Sequence, residues 1–288
     1  MTSEREWLPF PQVDVEQILI PWSDCLRVVL GPVLPDLVEE MKRRDIDYAP
    51  VFRSSDPHAA VLGLFSRGRL EELLSDARDL TESDPGIHRG QDFAEVWLRS
   101  SLNELLRKMA ERSVWTVEYE GDAGEYGPIY VTYGIVTRSD LNKHPIRILL
   151  YEVLAKLETA LADLVRRFVS NHLDWIRRLS EDSQARILGY WELSKLQGVD
   201  TGPVVGATLA DLLNVVARDE GLRRRLGYDS RNAFEDAMGG IAGVRNQVMH
   251  CVRPLITDAD SCLRLEAVLR EAIRLTERTQ SALQEGKQ

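Results

Sequence analysis

Cysteine is scarce in this chain. The 288 residues hold three, Cys25, Cys251 and Cys262, spaced too widely for a zinc-ligand pattern, and an odd count fits reduced thiols better than a disulfide framework. Long apolar runs are also missing: nothing approaches the roughly 18 residues that a membrane span needs. The opening MTSEREWLPF has neither the basic nor the apolar segment of a secretory signal. A cytoplasmic chain with no membrane partner is therefore expected. There is no Walker-type phosphate loop and no serine-protease-like arrangement. No half is strongly basic either: residues 1–144 carry 16 Lys and Arg against 26 Asp and Glu, and residues 145–288 carry 20 of each, for a net charge of −10. That balance argues against bulk duplex binding through phosphate neutralisation, while leaving room for a small local anion site.

What is present is a repeat in the first half. LRVVLGPVLPDLVEEMKRRDIDYAPVF followed by VLGLFSRGRLEELL is matched by AEVWLRSSLNELLRKMAERSVWTVEYE followed by YVTYGIVTRSDLNKH. Met41 corresponds to Met109 and Gly63 to Gly134, with three extra residues taken up in the loop GDAGEYGP of the second copy. Apolar spacing predicts a helix in each copy, through Leu37, Val38, Met41 and Ile46 and through Leu102, Leu105, Leu106 and Met109, with β-rich runs on either side.

This doubled order resembles a CBS domain pair, a module whose members commonly bind adenosyl ligands between their halves. The second copy holds the family's G-h-x-[ST]-x-x-D motif as GIVTRSD. The resemblance implies that Thr137 contacts ribose or phosphate and that Asp140 accepts hydrogen bonds from ribose hydroxyls. In the first copy, GLFSRGR keeps Ser66 but has Arg69 where the acid is expected, so one ribose site is implied, with Arg69 free to face a phosphate. Thr137 and Asp140 also sit where a strand becomes a helix, and capping that helix is the competing role.

From Pro145 the strand signals stop. HPIRILLYEVLAKLETALADLVRRFVSNHLDWIRRLS carries a broad apolar face from Ile148 to Phe168 and could run as one helix to about Arg178, with Glu158 available to pair with a basic residue of the bundle. Three more helices are predicted, in SQARILGYWELSKLQG (stopping near Gly198), in ATLADLLNVVARDEGLRRRLG (breaking at Gly221) and in SCLRLEAVLREAIRLTERTQSAL. Arg223, Arg224 and Arg225 read more readily as a solvated helix end than as an RNA guide.

A further helix is predicted across RNAFEDAMGGIAGVRNQVMHCV. At about 100° per residue, Phe234, Ala237, Ile241, Val244, Val248 and Val252 form a core-facing stripe, while Gly239, Gly243, Asn246 and His250 gather on the opposite side and Arg245 lies on the flank. Glycine weakens a helix interior, so two on one polar face suggest close approach by another helix or a ligand backbone. Arg245 to His250 resembles the R-x4-6-H motif of the HEPN family, helical-bundle proteins that include metal-independent ribonucleases. The resemblance implies a homodimer with two motifs facing one cleft. Arg245 would hold the scissile phosphate, Asn246 would orient it or the imidazole, and His250 would move a proton, with no metal needed.

The expectation is therefore an α+β chain: a leader over residues 1–23, a CBS pair of two βαββα repeats over 24–147, and an all-α HEPN-like bundle over 148–288. Its expected function is a nucleotide-regulated endoribonuclease in stress response or antiviral defence. The expected partners are an RNA substrate, a regulatory adenine nucleotide or other adenosine-containing molecule, and a second copy in a homodimer or higher homo-oligomer. The rival expectation is a non-catalytic nucleotide-sensing module that dimerises or docks a partner.

Overall fold

The computed structural model describes residues 11–56, 59, 61–84, 95–97, 99–122, 128–169, 172–199 and 202–285. Residues 1–10 of the expected leader and residues 123–127 of the longer loop lie outside them. The chain divides into two compact units, one of residues 14–100 and 111–141, the other of the described residues in 1–13, 101–110 and 142–288.

The first part of the chain is rich in strands. It runs β1 (Gln12–Asp14), β2 (Ile20–Pro21), β3 (Val28–Val29), β4 (Gly31–Pro32), α1 (Pro35–Arg43), β5 (Tyr48–Phe52), β6 (Val61–Ser66), α2 (Arg67–Ser75) and β7 (Asp79–Leu80). It continues through β8 (Glu95–Trp97), β9 (Arg99–Ser101), α3 (Leu102–Glu111), β10 (Val114–Asp122) and β11 (Pro128–Thr137). The doubling is visible in the strand pairing. β3 runs parallel to β5, which pairs antiparallel with β6; β8 runs parallel to β10, which pairs antiparallel with β11. Gly63 stands opposite Val51 in one hairpin and Gly134 opposite Val117 in the other, the same register twice.

Local chemistry explains these boundaries. Pro35 opens α1, where its missing N–H is no loss, and the Ser66 hydroxyl caps α2 by accepting from the Arg69 N–H at 3.4 Å. Val38, Met41, Val51, Phe65, Leu70 and Leu73 close a core between α1, α2 and their sheet. β2 adds to the edge of β11 at Gly134, where a Cβ would stand 2.3 Å from the Ile20 carbonyl oxygen. That close approach is one physical reason for glycine in GIVTRSD. Cys25 is partly buried, and burial, with the Asp24 and Asp140 charges, pushes its thiol up to about 12. Cys262 is buried and Cys251 exposed.

The helical part comprises α4 (His144–Phe168), α5 (His172–Ile176), α6 (Glu181–Leu196), α7 (Leu209–Arg218), α8 (Glu220–Arg225), α9 (Arg231–Met238), α10 (Ile241–Met249) and α11 (Ala259–Glu285). α4 and α11 form the long pair, with α7 and α10 packed against α4. Leu150, Leu154, Leu157, Leu161 and Leu164 of α4 are buried at helical spacing. No helix among the described residues is long and apolar enough to cross a membrane.

Several expectations change here. α4 ends at Phe168 rather than near Arg178, and Ile148, placed on its apolar face, is exposed. The break after α7 falls at Asp219, whose side chain caps α8, so Gly221 is not the breaker. The basic run is spent locally: Arg223 donates to the Ala217 carbonyl, Arg224 pairs with Glu220, and Arg225 stacks over Phe168 at 4.1 Å. Most consequentially, the helix predicted over 231–252 is two helices. Gly239 caps the end of the first, and Gly240, which starts the second, has φ of +90°, a left-handed conformation that costs an L residue with a side chain. The continuous wheel therefore fails past the break. Phe234, Ile241 and Val248 are buried as expected, but Val252 lies beyond the end of α10 and is 94% exposed.

Candidate functional site

In the strand-rich unit, a cleft of about 640 Å³ opens beside the first-copy turn. Lys42, Asp47, Tyr48, Ser66, Arg67 and Ser113 line it. The Ser113 hydroxyl lies 3.3 Å from the Tyr48 hydroxyl, and Arg67 pairs with Asp47 at 3.0 Å. Lys42 lies 3.2 Å from Glu39 and 3.6 Å from Glu71. Both cations of this cleft already face carboxylates, so an anion entering would exchange partners with them. Arg69, expected to face a phosphate, instead pairs with Glu72 on the exposed side of α2.

The second-copy turn is closed on itself. Asp140, 4% exposed, accepts from both the backbone N–H and the hydroxyl of Thr137, each at 2.6 Å. The same arrangement recurs at Thr208 and Asp211, where it caps α7, and at Thr81 and Asp84. Thr-x-x-Asp is thus a turn-closing device in this chain, independent of any ligand. A ribose hydroxyl reaching Asp140 would have to compete with the Thr137 bonds.

In the helical unit, the predicted R-x4-H residues lie on α10 and just past it. Arg245 is half-buried, while Asn246 and His250 are exposed. His250 is the C-terminal cap, its N–H donating to the Asn246 carbonyl at 3.1 Å. A Cβ on Gly243 would touch nothing within 4 Å, so this side of α10 is open. Gly239, expected on the same face, belongs to the break between α9 and α10.

Glu158, which the sequence offered only as an ion-pair partner, faces this region from α4. Burial holds its carboxyl above the ordinary value, against the pull of the Arg245 guanidinium and of a hydrogen bond from the Leu209 N–H. Nearby Asp211 is the opposite case: burial disfavours its charge, but bonds from Thr208, Ser183 and Arg186 outweigh it and keep the carboxyl below its usual range. The signal for Glu158 was its position between Leu154 and Leu161 on the buried stripe. Among the described residues, no three His, Cys, Asp or Glu side chains gather as a metal site.

The raised Glu158 carboxyl makes stability depend on pH. A folded pKa above the unfolded 4.5 stabilises the fold fully below that value and is lost as pH rises through the folded pKa. Glu158→Gln removes the ionisation but keeps an acceptor for Leu209. Its Tm is therefore expected to gain on wild type as pH rises from about 4 to 7. Parallel Tm curves would show that Glu158 ionises as readily folded as unfolded.

No protein-family model matches the chain, and no curated protein matches it. Similar solved structures include the CBS domain of a bacterial CNNM/CorC family Mg2+ transporter in complex with ATP. It is 21% identical, with 45% of this chain and 84% of that one covered at a TM-score of 0.32. Another is a CBS domain-containing protein of unknown function from Bacillus anthracis str. Ames Ancestor. It is 17% identical, with 46% and 91% covered at a TM-score of 0.33. Likeness this distant leaves ligand and activity to be argued from the chain's own residues.

Proposed function

We propose that this chain is a nucleotide-regulated, metal-independent endoribonuclease, working as a homodimer or higher homo-oligomer, with residues 24–147 as sensor and 148–288 as the cutting module. The observation that supports it most directly is the open side of α10, where Asn246 and His250 are exposed and Arg245 is backed by the half-buried Glu158. RNA supplies its own nucleophile. His250 takes or returns the proton at the 2′-hydroxyl or the leaving 5′-oxygen, Arg245 offers two hydrogen bonds to the phosphate as charge develops, and Asn246 orients them. The products are a 2′,3′-cyclic phosphate and a 5′-hydroxyl. The regulatory ligand is an adenosine-containing molecule held at Ser66 and the cleft beside it, or at Thr137 and Asp140 once their mutual bonds open.

The test uses end-labelled single-stranded RNA with the purified full chain in excess EDTA, with and without ATP or AMP. Cleavage that survives chelation, leaves cyclic phosphate ends and changes severalfold with an adenine nucleotide is the expected result. No cleavage under any nucleotide condition overturns the reading. It would favour the second one, a partner-binding module, for which α6 speaks: Tyr190, Leu193 and Leu196 are exposed on it, Leu196 at 85%.

A further inference from the structure

The segment carrying His250 is held from beneath by two polar residues. Arg147, in the first turns of α4, is 5% exposed. Its guanidinium donates to the Gln247 carbonyl at 2.8 Å, to the Val248 carbonyl at 3.5 Å and to the Arg253 carbonyl, while its Nε reaches the Asn142 carbonyl at 3.3 Å. Each of these partners is a backbone oxygen. Asn142 holds the far end: its Oδ1 accepts from the N–H groups of Leu255 at 2.6 Å and Ile256 at 3.0 Å, and its Nδ2 donates to the Ile256 carbonyl at 2.9 Å.

Between these anchors the chain has little else to fix it. Residues 249–254 are all exposed, so little apolar packing holds them. His250 is bracketed by Gln247 and Val248 before it and by Arg253 after it, three of the four carbonyls that one buried cation gathers. A cation suits the carbonyl end of a helix, and a planar fork can bind carbonyls on two sides of a turn where a lysine cannot.

We propose that Arg147 and Asn142 are positioning residues for His250, fixing the path of residues 247–256 so that the imidazole stands at a set distance from Arg245. This rests on the ribonuclease reading. Acid–base catalysis depends on placement, and a displacement of about 1 Å can cost about 100-fold in rate. Neither residue touches RNA, so their loss should lower kcat and leave KM nearly unchanged.

The experiment compares the full chain with Asn142→Ala, Arg147→Gln and Arg147→Lys, reading kcat and KM in EDTA beside residue-resolved amide exchange. In Asn142→Ala, exchange at Leu255 and Ile256 should rise at least about tenfold and kcat fall about 10- to 100-fold, with exchange in the α4–α11 pair unchanged. Arg147→Lys should recover part of the activity that Arg147→Gln loses. Faster local exchange with kcat unchanged overturns the proposal. So does a general rise in exchange across α4 and α11, which would make the residues merely structural. If the wild-type chain does not cleave RNA, the ribonuclease reading falls and the positioning role with it; local exchange unchanged in every variant would instead show that the clamp itself is absent.

Discussion

Gly134→Ala should destabilise the strand-rich unit by about 2–4 kcal/mol, the range of severe backbone and packing conflicts. The new Cβ would lie 2.3 Å from the Ile20 carbonyl oxygen and 2.9 Å from the Pro21 Cα. Both are backbone atoms, so no rotamer change relieves the overlap. β2 must leave the edge of β11, or β11 must bend where it pairs with β10. The control is Gly68→Ala: Gly68 lies in α2 with nothing within 4 Å of its would-be Cβ, and replacing it should be neutral or stabilise by up to about 1 kcal/mol. Urea unfolding of both variants decides. Equal stability of Gly134→Ala and wild type would mean that β2 does not lie against β11.

His250→Ala should reduce RNA cleavage by about 10²- to 10⁴-fold, the range for losing a general acid or base. His250 caps α10 through its backbone and its side chain is exposed, so truncation should leave the fold and Tm nearly as they were. Arg245→Lys should fall between, because a lysine keeps the charge but loses the two-pronged grip on phosphate. Under the proposed mechanism both residues act on one transition state, so the two losses are not expected to add in a double variant. An RNA-cleaving preparation whose activity survives His250→Ala unchanged would place the chemistry elsewhere in the chain or in a contaminant.

The repeat was legible because its pattern recurs at a distance: Met41 and Met109 are both fully buried, and Gly63 and Gly134 take the same register. Leucine spacing likewise located the buried side of α4. The break at Gly240 was not read, although two adjacent glycines signalled it. A helical wheel carried through them requires right-handed dihedrals that Gly240 does not have, which is why it places Val252 in a core that the residue never reaches. The clamp was harder to see. Arg147 stands three residues before Leu150 on the apolar stripe, yet three of its four partners are carbonyls about 100 residues on, and backbone oxygens leave no mark in a sequence. Glu158 was visible as a charge on that stripe, but not the competition between its burial and Arg245.

The unequal surroundings of the three thiols matter for attaching a probe. Alkylating reagents attack thiolate, which needs both ionisation and access. Cys25, pushed up to about 12, stays protonated at neutral pH, and Cys262 is shut inside α11's packing. Among these three, Cys251 alone is exposed, and it directly follows His250. A small fluorophore can therefore be placed there without first removing the other cysteines, on the short stretch between the Arg147 and Asn142 anchors. Its anisotropy would report how freely that stretch moves, in a native chain and in real time.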